Sequence, residues 1–204
     1  MRAIVMAPLA LVLLAGCASF ERNVPEPRVY RLSAPAVPAG AVLDVNLLVL
    51  KPVTAAGLRT ERIASLWPGN RVDYYAGARW SGELGGVVQG SLVQGIRRSG
   101  RVRTVEGDPG RFRATHVLGI EIERFEADYD AGEPPVARVA MTATVARFGD
   151  RKTLASWSVD ADAPAGANSL TAVAVALDEA YRRAAAELLA RVLEALAADG
   201  AGQP

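Results

Sequence analysis

Three stretches in the middle of the chain alternate apolar with polar or small residues, and this pattern constrains the fold most. In the first stretch, Leu118, Ile120 and Ile122 alternate with small or acidic residues. Residues 136–148 and 153–160 repeat the alternation after short turns. A period of two places every second side chain on the same face of a strand. The pattern therefore predicts three consecutive antiparallel strands whose apolar face covers a core.

Two other stretches have the spacing of an amphipathic helix. Residues 80–98 repeat apolar side chains every four positions, and their five glycines lower the helix propensity. Residues 170–197 follow a candidate N-cap at Asn168 or Ser169 and carry a longer apolar stripe. The stripe consists of Leu170, Val173, Leu177, Tyr181, Ala184, Leu188, Val192 and Leu196. We therefore predict two helices, each with one face toward a core.

Shorter signals predict the remaining strands. Residues 43–50 are apolar on both faces, which indicates a well-buried strand. Residues 59–66 and 72–75 flank a Pro-Gly-Asn turn signal, which predicts a hairpin. The predicted order is β-β-β-α-β-β-β-β-α, without the regular strand–helix alternation of a parallel sheet. We therefore expect an α+β fold, with a largely antiparallel sheet and two main helices packed on one face.

The N-terminal residues have the pattern of a signal peptide. Arg2 is the only charged residue among the first twenty, and residues 3–15 are almost wholly apolar. Thirteen apolar residues interrupted by Pro8 are too few for a bilayer-spanning helix, which needs roughly 20 residues. A positive residue before a short apolar stretch is instead typical of a cleaved export signal. We assign residues 1–16 to this signal peptide.

The end of this stretch resembles the lipobox of bacterial lipoproteins. Leu14, Ala15 and Gly16 precede Cys17, the only cysteine of the chain. The resemblance implies that the Cys17 thiol receives a diacylglyceryl group and that its amine is acylated after cleavage. Ala18 follows where many lipoproteins retained in the inner membrane have aspartate. By that sorting rule, we expect the periplasmic face of the outer membrane.

The proposed cleavage and the proline pattern define the domain boundaries. Residues 17–40 contain four prolines and are predicted to be a lipidated tether with a short strand at 29–32. Residues 41–197 are predicted to form one domain, and residues 198–204 a loose tail after Asp199-Gly200. Loss of Arg2 with the signal peptide leaves the mature chain formally neutral, because the whole sequence has 23 basic and 22 acidic residues. Near neutrality argues against a nucleic-acid partner.

The composition offers little catalytic equipment. One histidine and one cysteine exclude a disulfide framework and almost any zinc site built from these residues. We interpret His116 as a structural residue on a strand, and Glu121 with Glu123 as the solvated face of that strand. Ser91 lies in the first helix and lacks the second glycine of a nucleophile elbow. We therefore expect no enzymatic activity, metal or cofactor besides the lipid on Cys17.

An aromatic group around the predicted hairpin is the candidate partner contact. It comprises Trp67, Tyr74 and Tyr75 near the start of the first helix. Adjacent residues of a strand face opposite sides, so at least one of the two tyrosines should be exposed or lie in a groove. Exposed aromatic side chains are frequent anchors of protein interfaces.

Several of these stretches together resemble a known family. They are Tyr30-Arg31-Leu32 after the lipobox, the apolar strand that ends in Lys51-Pro52-Val53, and the segment from Tyr74-Tyr75 to Arg79-Trp80. The combination resembles the ABC-type transport auxiliary lipoproteins, the group that includes paraquat-inducible protein C, over about residues 28–196. The glycine-rich first helix departs from the more usual aliphatic helix of the family.

The resemblance implies a non-enzymatic role. Such proteins are similar to outer-membrane-tethered partners of MCE-domain proteins, which carry lipid across the periplasm with an ABC permease and ATPase. On this reading the chain docks the MCE protein, and association of several copies is a further expectation. The alternative is a lipoprotein that supports outer-membrane or lipopolysaccharide assembly by binding a β-barrel.

Overall fold

Nine strands and two helices form the part of the chain that the computed structural model describes, residues 26–201. The strands are β1 (Arg28–Tyr30), β2 (Leu43–Val49), β3 (Val53–Thr54), β4 (Arg62–Trp67), β5 (Arg71–Trp80), β6 (Val102–Glu106), β7 (His116–Asp128), β8 (Val136–Arg147) and β9 (Thr153–Pro164). The helices are α1 (Leu84–Ser99) and α2 (Leu170–Ala201). The α+β class is confirmed. The order before α1 gains β3, and β1 corresponds to the short strand that was predicted at 29–32 within the tether.

Strand β7 organises the sheet because it is long enough to pair with four other strands. On one side it pairs with β8, which pairs with β9, and both pairings are antiparallel as predicted. On its other side it pairs in succession with β2, β3 and β4, all in parallel. Strand β6 extends the sheet beyond β2, and β5 and then β1 extend it beyond β4. The result is a curled, mixed sheet whose longest pairings are antiparallel.

Both helices pack on the same face of this sheet. The predicted inward row of β7, with Leu118, Ile120 and Ile122, is buried. In the predicted stripe of α2, seven residues are buried and Leu170 is half-buried. The Tyr181 hydroxyl of α2 donates a hydrogen bond to the Ser91 hydroxyl of α1 at 3.0 Å. The periodicity of the sequence therefore identified the faces that form the core.

The first helix begins four residues later than predicted. Trp80 is the last residue of β5, where its ring packs edge-on against Phe125 at a centroid distance of 5.6 Å. Two glycines of α1 allow close contacts with chain segments that flank the sheet. A Cβ atom at Gly85 would lie 2.9 Å from the carbonyl oxygen of Pro52, and one at Gly95 would lie 3.0 Å from that of Pro35. Larger side chains would push the helix away from both segments.

The predicted tether is shorter than 17–40, because its second half belongs to the folded domain. Strand β1 pairs in parallel with the end of β5. Leu32 is buried, and the Ser33 amide donates to Asp178 Oδ1 of α2 at 2.7 Å. The prolines of this segment prevent helix formation, but they do not prevent packing against α1. The folded domain therefore includes residues 28–40, which were predicted to be part of the tether.

The last helix also continues beyond its predicted end. Helix α2 extends to Ala201, so residues 198–201 are not part of a loose tail. Asp199 is the reason, because its carboxylate pairs with Arg147 and His116 on the neighbouring strands. These contacts outweigh the low helix propensity of Gly200, which costs about 1 kcal/mol relative to alanine.

Candidate functional site

The predicted anchor lies outside the described residues. Leu14, Ala15, Gly16 and Cys17 all precede Glu26, where the description of the chain begins. Lipidation of Cys17 therefore stays a prediction. Within residues 26–201, no helix is long and apolar enough to cross a membrane.

Trp67 and Tyr75 of the predicted aromatic group lie in one cluster at an end of the domain, together with Tyr129, which the sequence pattern does not indicate. The Trp67 and Tyr129 rings stack with centroids 4.2 Å apart and an interplanar angle of 1°. The Tyr129 hydroxyl donates to Asn168 Oδ1 at 2.9 Å, just before α2. Because this bond uses the single proton of the Tyr129 hydroxyl, its oxygen accepts the hydrogen bond from the Tyr75 hydroxyl, at an O–O distance of 2.7 Å. This relay joins the β5 strand to the start of the last helix.

The two adjacent tyrosines have different neighbours, and both are half-buried, so neither is as exposed as the prediction allowed. Tyr74 donates to the Gly57 carbonyl oxygen at 2.8 Å, and the Arg62 guanidinium lies 4.1 Å from the centre of its ring. Burial, followed by the hydrogen bond to Tyr129, raises the pKa of the Tyr75 phenol well above its usual value. Both hydroxyls are thus engaged within the domain, and only parts of the rings remain for a partner.

A network of charged side chains lies beside this aromatic cluster, in a polar cavity of about 570 Å³. Arg124 donates to Asp128 at 3.0 Å and to Glu126 at 2.7 Å, and Arg138 Nε lies 3.0 Å from the same Asp128 oxygen. Burial alone would raise the pKa of Asp128. The hydrogen bond from the Asp130 amide and the two arginines outweigh that effect and lower it. The acids beside the arginines neutralise them, so the cavity presents no excess of positive charge.

The only histidine lies at the other end of β7, in a second cluster. His116 is buried, and its Nε2 atom lies 3.1 Å from Asp199 Oδ2, while Nδ1 lies 2.9 Å from the Thr115 hydroxyl. Arg147 donates to Asp199 Oδ1 at 2.5 Å. The hydrogen bond from Arg147 is the main cause that lowers the pKa of Asp199, against burial. As predicted, His116 has a structural position, where it ties the end of α2 to the sheet.

The other candidates for chemistry are not brought together. Glu121 and Glu123 are exposed on the face of the sheet opposite the helices, as predicted. Ser91 is buried, donates to the Ser33 carbonyl oxygen and accepts from Tyr181. In the part of the chain that the structure describes, no three His, Cys, Asp or Glu side chains are placed to hold a metal ion.

The fold is similar to those of solved structures. The crystal structure of protein XCC0632 from Xanthomonas campestris is 25% identical and has a TM-score of 0.76; the similarity covers 84% of this chain and 98% of that chain. A crystal structure of an uncharacterized protein has a TM-score of 0.65 at 11% identity, covers 82% of this chain and 99% of that one, and shows the fold alone. The comparison with curated proteins gave no match.

The sequence itself matches a family model over nearly the whole folded domain. The model describes an ABC-type transport auxiliary lipoprotein component and matches residues 30–189, from the end of β1 to the middle of α2. This range contains both clusters except for Asp199. The match confirms the resemblance seen in the sequence, and the chain belongs to the ABC-type transport auxiliary lipoprotein family.

Proposed function

We propose that this protein is a non-catalytic outer-membrane lipoprotein that docks a periplasmic MCE-domain partner in an ABC-type intermembrane lipid transport system. The observation that carries the proposal is the family match, which begins at residue 30, together with the position of the first described strand at Arg28–Tyr30. This strand follows soon after Cys17, the predicted site of the lipid. A domain that is joined to its lipid anchor by a short linker suits a component that holds a partner protein at a membrane.

The short separation between Cys17 and β1 limits how far the domain can lie from the membrane. Ten residues separate Cys17 from Arg28, and a fully extended chain of this length spans at most about 40 Å. Each buried methylene of an acyl chain contributes about 0.8 kcal/mol, so several chains hold the domain at the membrane stably. A transport assembly that crosses the periplasm therefore has to approach this membrane to meet the domain.

The internal pairing of charged groups supports a non-catalytic role. Asp128 and Asp199 both have a lowered pKa and both are held by arginines of the same domain. A general acid or base near neutral pH needs a pKa moved toward that range instead. These two carboxylates therefore suit structural ion pairs better than proton transfer.

Substitution of the lipid-bearing cysteine tests the anchor. We expect Cys17→Ser to release the protein into the periplasmic fraction and to abolish its globomycin-sensitive processing. Ala18→Asp is the matched control, because it keeps the lipid and should move the anchored protein to the inner membrane. Separation of the two membranes on a density gradient measures both outcomes. A Cys17→Ser protein that stays in the outer membrane contradicts the proposal.

Crosslinking in intact cells tests the partner. We expect the full-length lipoprotein to form a crosslinked species with an MCE-domain protein of the same cell, identified by mass spectrometry. The species should disappear when the gene of that MCE protein is deleted. Recovery of an outer-membrane β-barrel in its place would support the alternative function in outer-membrane assembly.

A further inference from the structure

Strand β9 forms an edge of the sheet, and one side of its backbone has no partner strand. It pairs with β8 over its whole length, from Thr153 to Pro164. Between residues 26 and 201, no other strand pairs with it. A long unpaired edge presents N–H and C=O groups that are ready to pair with another chain. Proteins either protect such an edge against unwanted pairing or use it to bind another chain.

The register shows which backbone groups of β9 point outward. Met141 pairs with Val159 and Ala143 pairs with Trp157, and the same register continues to the bond from the Ala165 amide to the Pro135 carbonyl oxygen. In an antiparallel pair, hydrogen-bonded and non-bonded positions alternate. From Ala155 to Ala165, beyond a register shift opposite Val145 and Ala146, the odd-numbered residues therefore bond to β8, and the even-numbered residues direct their N–H and C=O groups away from it.

One contact confirms this assignment and limits the open edge. The Arg183 guanidinium of α2 donates to the Asp162 carbonyl oxygen at 3.2 Å, so this even-numbered residue does face outward. Pro164 has no N–H to offer. The backbone groups of Ser156, Ser158 and Asp160 remain as a ladder of three N–H and three C=O groups. This length fits an added strand of five to seven residues, about the usual length of a strand.

A groove lies beside this edge on the side of the helices. It has a volume of about 500 Å³ and runs between the first half of β9 and the second half of α2. Leu154 and the half-buried Trp157 line its strand side, and Ala195 and Ala198 line its helix side. A strand added to β9 would direct every second side chain into this groove. Apolar side chains fit these neighbours.

The opposite face of the same edge is acidic. Asp160 and Asp162 are exposed there, and Glu121 and Glu123 lie on the same face. Across β7, β8 and β9 this face carries six carboxylates and two arginines. Arg124 and Arg138 pair with Glu126 and Asp128, and Arg138 Nη1 also lies 3.7 Å from Asp162 Oδ2, so the acidic excess is made up of Asp160, Glu121, Glu123 and the exposed part of Asp162. The outward side chains of an added strand would lie next to Asp160 and Asp162, so charge complementarity favours basic residues.

We propose that β9 binds an extended segment of a partner protein as a tenth strand, and that this segment alternates apolar residues over α2 with basic residues beside Asp160 and Asp162. Strand addition of this kind takes affinity from main-chain hydrogen bonds and specificity from alternate side chains. The identification of the segment's owner as the periplasmic transport partner rests on the proposed function. The strand site itself rests on the geometry of the edge.

A proline at the centre of the edge tests the proposal. Ser158→Pro removes an N–H that points away from β8, so the β8–β9 ladder is kept, and prolines are tolerated on edge strands. Ser158→Ala is the matched control, because it also removes the hydroxyl group that contacts Thr142 but keeps the N–H. Circular dichroism and the urea midpoint establish that both variants are folded.

The probe is the labelled heptapeptide Lys-Val-Lys-Val-Lys-Val-Lys, added to the full-length lipoprotein in detergent. We expect Ser158→Pro to weaken binding about tenfold, since a peptide carbonyl loses its donor, and Ser158→Ala to leave it unchanged. The peptide with glutamate in place of lysine should bind more weakly. In hydrogen exchange, the basic peptide should protect the amides of Ser156, Ser158 and Asp160. Equal binding to the two variants, or no protection of these amides, overturns the proposal.

A photo-crosslinking amino acid at position 156 separates this inference from the proposed function. A crosslink from position 156 to a basic–apolar strand of the MCE protein supports both. A crosslink between two copies of the chain at this position overturns the inference, because the edge then binds itself. Crosslinks to the MCE protein from other surfaces only also overturn the inference, but they leave the proposed function intact. Peptide binding at β9 without any MCE crosslink keeps the strand site and contradicts the proposed function.

Discussion

The two ends of β7 hold the two ends of α2 by different chemistry. At the beginning of the strand, His116 and the neighbouring Arg147 hold Asp199 in the last turn of the helix. Beyond the end of the strand, Tyr129 connects Tyr75 to Asn168, which lies before the first turn. The first connection, the charged clamp, contains side chains that are charged at neutral pH. The second, the phenol relay, contains side chains that are neutral at that pH.

The helix itself explains part of this difference. The C-terminal end of a helix carries partial negative charge, which favours cations such as Arg147 near it. The N-terminal end needs acceptors for its amides, and the Ser169 hydroxyl accepts from the Ala172 amide at 3.3 Å. This end of α2 therefore needs no charged partner from the phenol relay, and the stacked rings of Trp67 and Tyr129 hold it in place. A fall in pH therefore weakens the charged clamp at one end of α2, and a rise in pH weakens the phenol relay at the other end.

Loss of the aromatic ring should have the largest effect on this comparison. We expect Tyr129→Ala to lower the free energy of unfolding by about 3–4 kcal/mol, because it leaves a cavity beside Trp67 and breaks the relay. Amide exchange should rise in the first turns of α2 and not in the last. Urea unfolding and hydrogen exchange measure the two effects. Equal loosening of both ends would show that the clamp and the relay do not act separately.

Loss of the central charge of the clamp should have the next largest effect. We expect Asp199→Asn to cost about 2 kcal/mol at neutral pH, because a buried hydrogen bond to a charged group is weakened. Exchange should rise near Ala201 only. Asp150→Asn is the control, since the exposed Asp150 pairs with the same arginine and should leave the urea midpoint nearly unchanged. If Asp199→Asn and Asp150→Asn lowered the urea midpoint equally, the effect would come from the unpaired charge of Arg147 and not from the clamp on α2.

Removal of one hydroxyl from the relay should have a smaller effect. We expect Tyr75→Phe to cost about 1 kcal/mol, because Tyr129 keeps its stacking on Trp67 and its bond to Asn168. Tyr74→Phe, which removes a hydroxyl bound to a loop carbonyl, compares a phenol outside the relay. A Tyr75→Phe protein with unchanged exchange in the first turn of α2 would contradict a role for the relay.

The pH dependence of the urea midpoint should also distinguish the charged clamp from the phenol relay, and this is the smallest of the expected effects. The pKa of Asp199 is lowered in the fold, so its stabilisation is present above the ordinary carboxyl pKa of about 4 and is lost as the pH falls further. The pKa of Tyr75 is raised, so its stabilisation is present below the ordinary phenol pKa of about 10 and is lost as the pH rises further. Asp199→Asn should flatten the acid side of the urea-midpoint profile, and Tyr75→Phe the alkaline side. A profile with unchanged slopes in both variants would contradict this assignment.

Local periodicity predicted most of the core but little of the sheet's connectivity. The meander of β7, β8 and β9 and the stripe of α2 follow from side-chain spacing within single elements. The parallel pairing of β7 with β2, β3 and β4 depends on contacts between distant parts of the chain. Strand β3, with only Val53 and Thr54, is too short to show any pattern. Such strands are defined by their neighbours and not by their own sequence.

The candidate site divides in the same way. The hairpin pattern groups Trp67 with Tyr75, which do share a cluster, and also with Tyr74, which does not. The pattern cannot include Tyr129 and Asn168, since each lies in a loop far away in sequence. Asp199-Gly200 predicts a helix stop, but Asp199 lies within α2, because its partners His116 and Arg147 lie on other elements that the local sequence cannot reveal. Aspartate followed by glycine commonly ends a helix, and only tertiary ion pairs override this tendency here.

The packing of residues 28–40 decides how this protein can be shortened for work in solution. A version cut at residue 41 would lack the strand that borders β5, and the surface of α1 around Gly95 would be exposed to water. It would also lose the acceptor of the Ser91 hydroxyl. A version that begins at Glu26 keeps all of these contacts and lacks Cys17, the predicted site of the lipid. Domain swapping or precipitation of the shorter version would then reflect the cut itself.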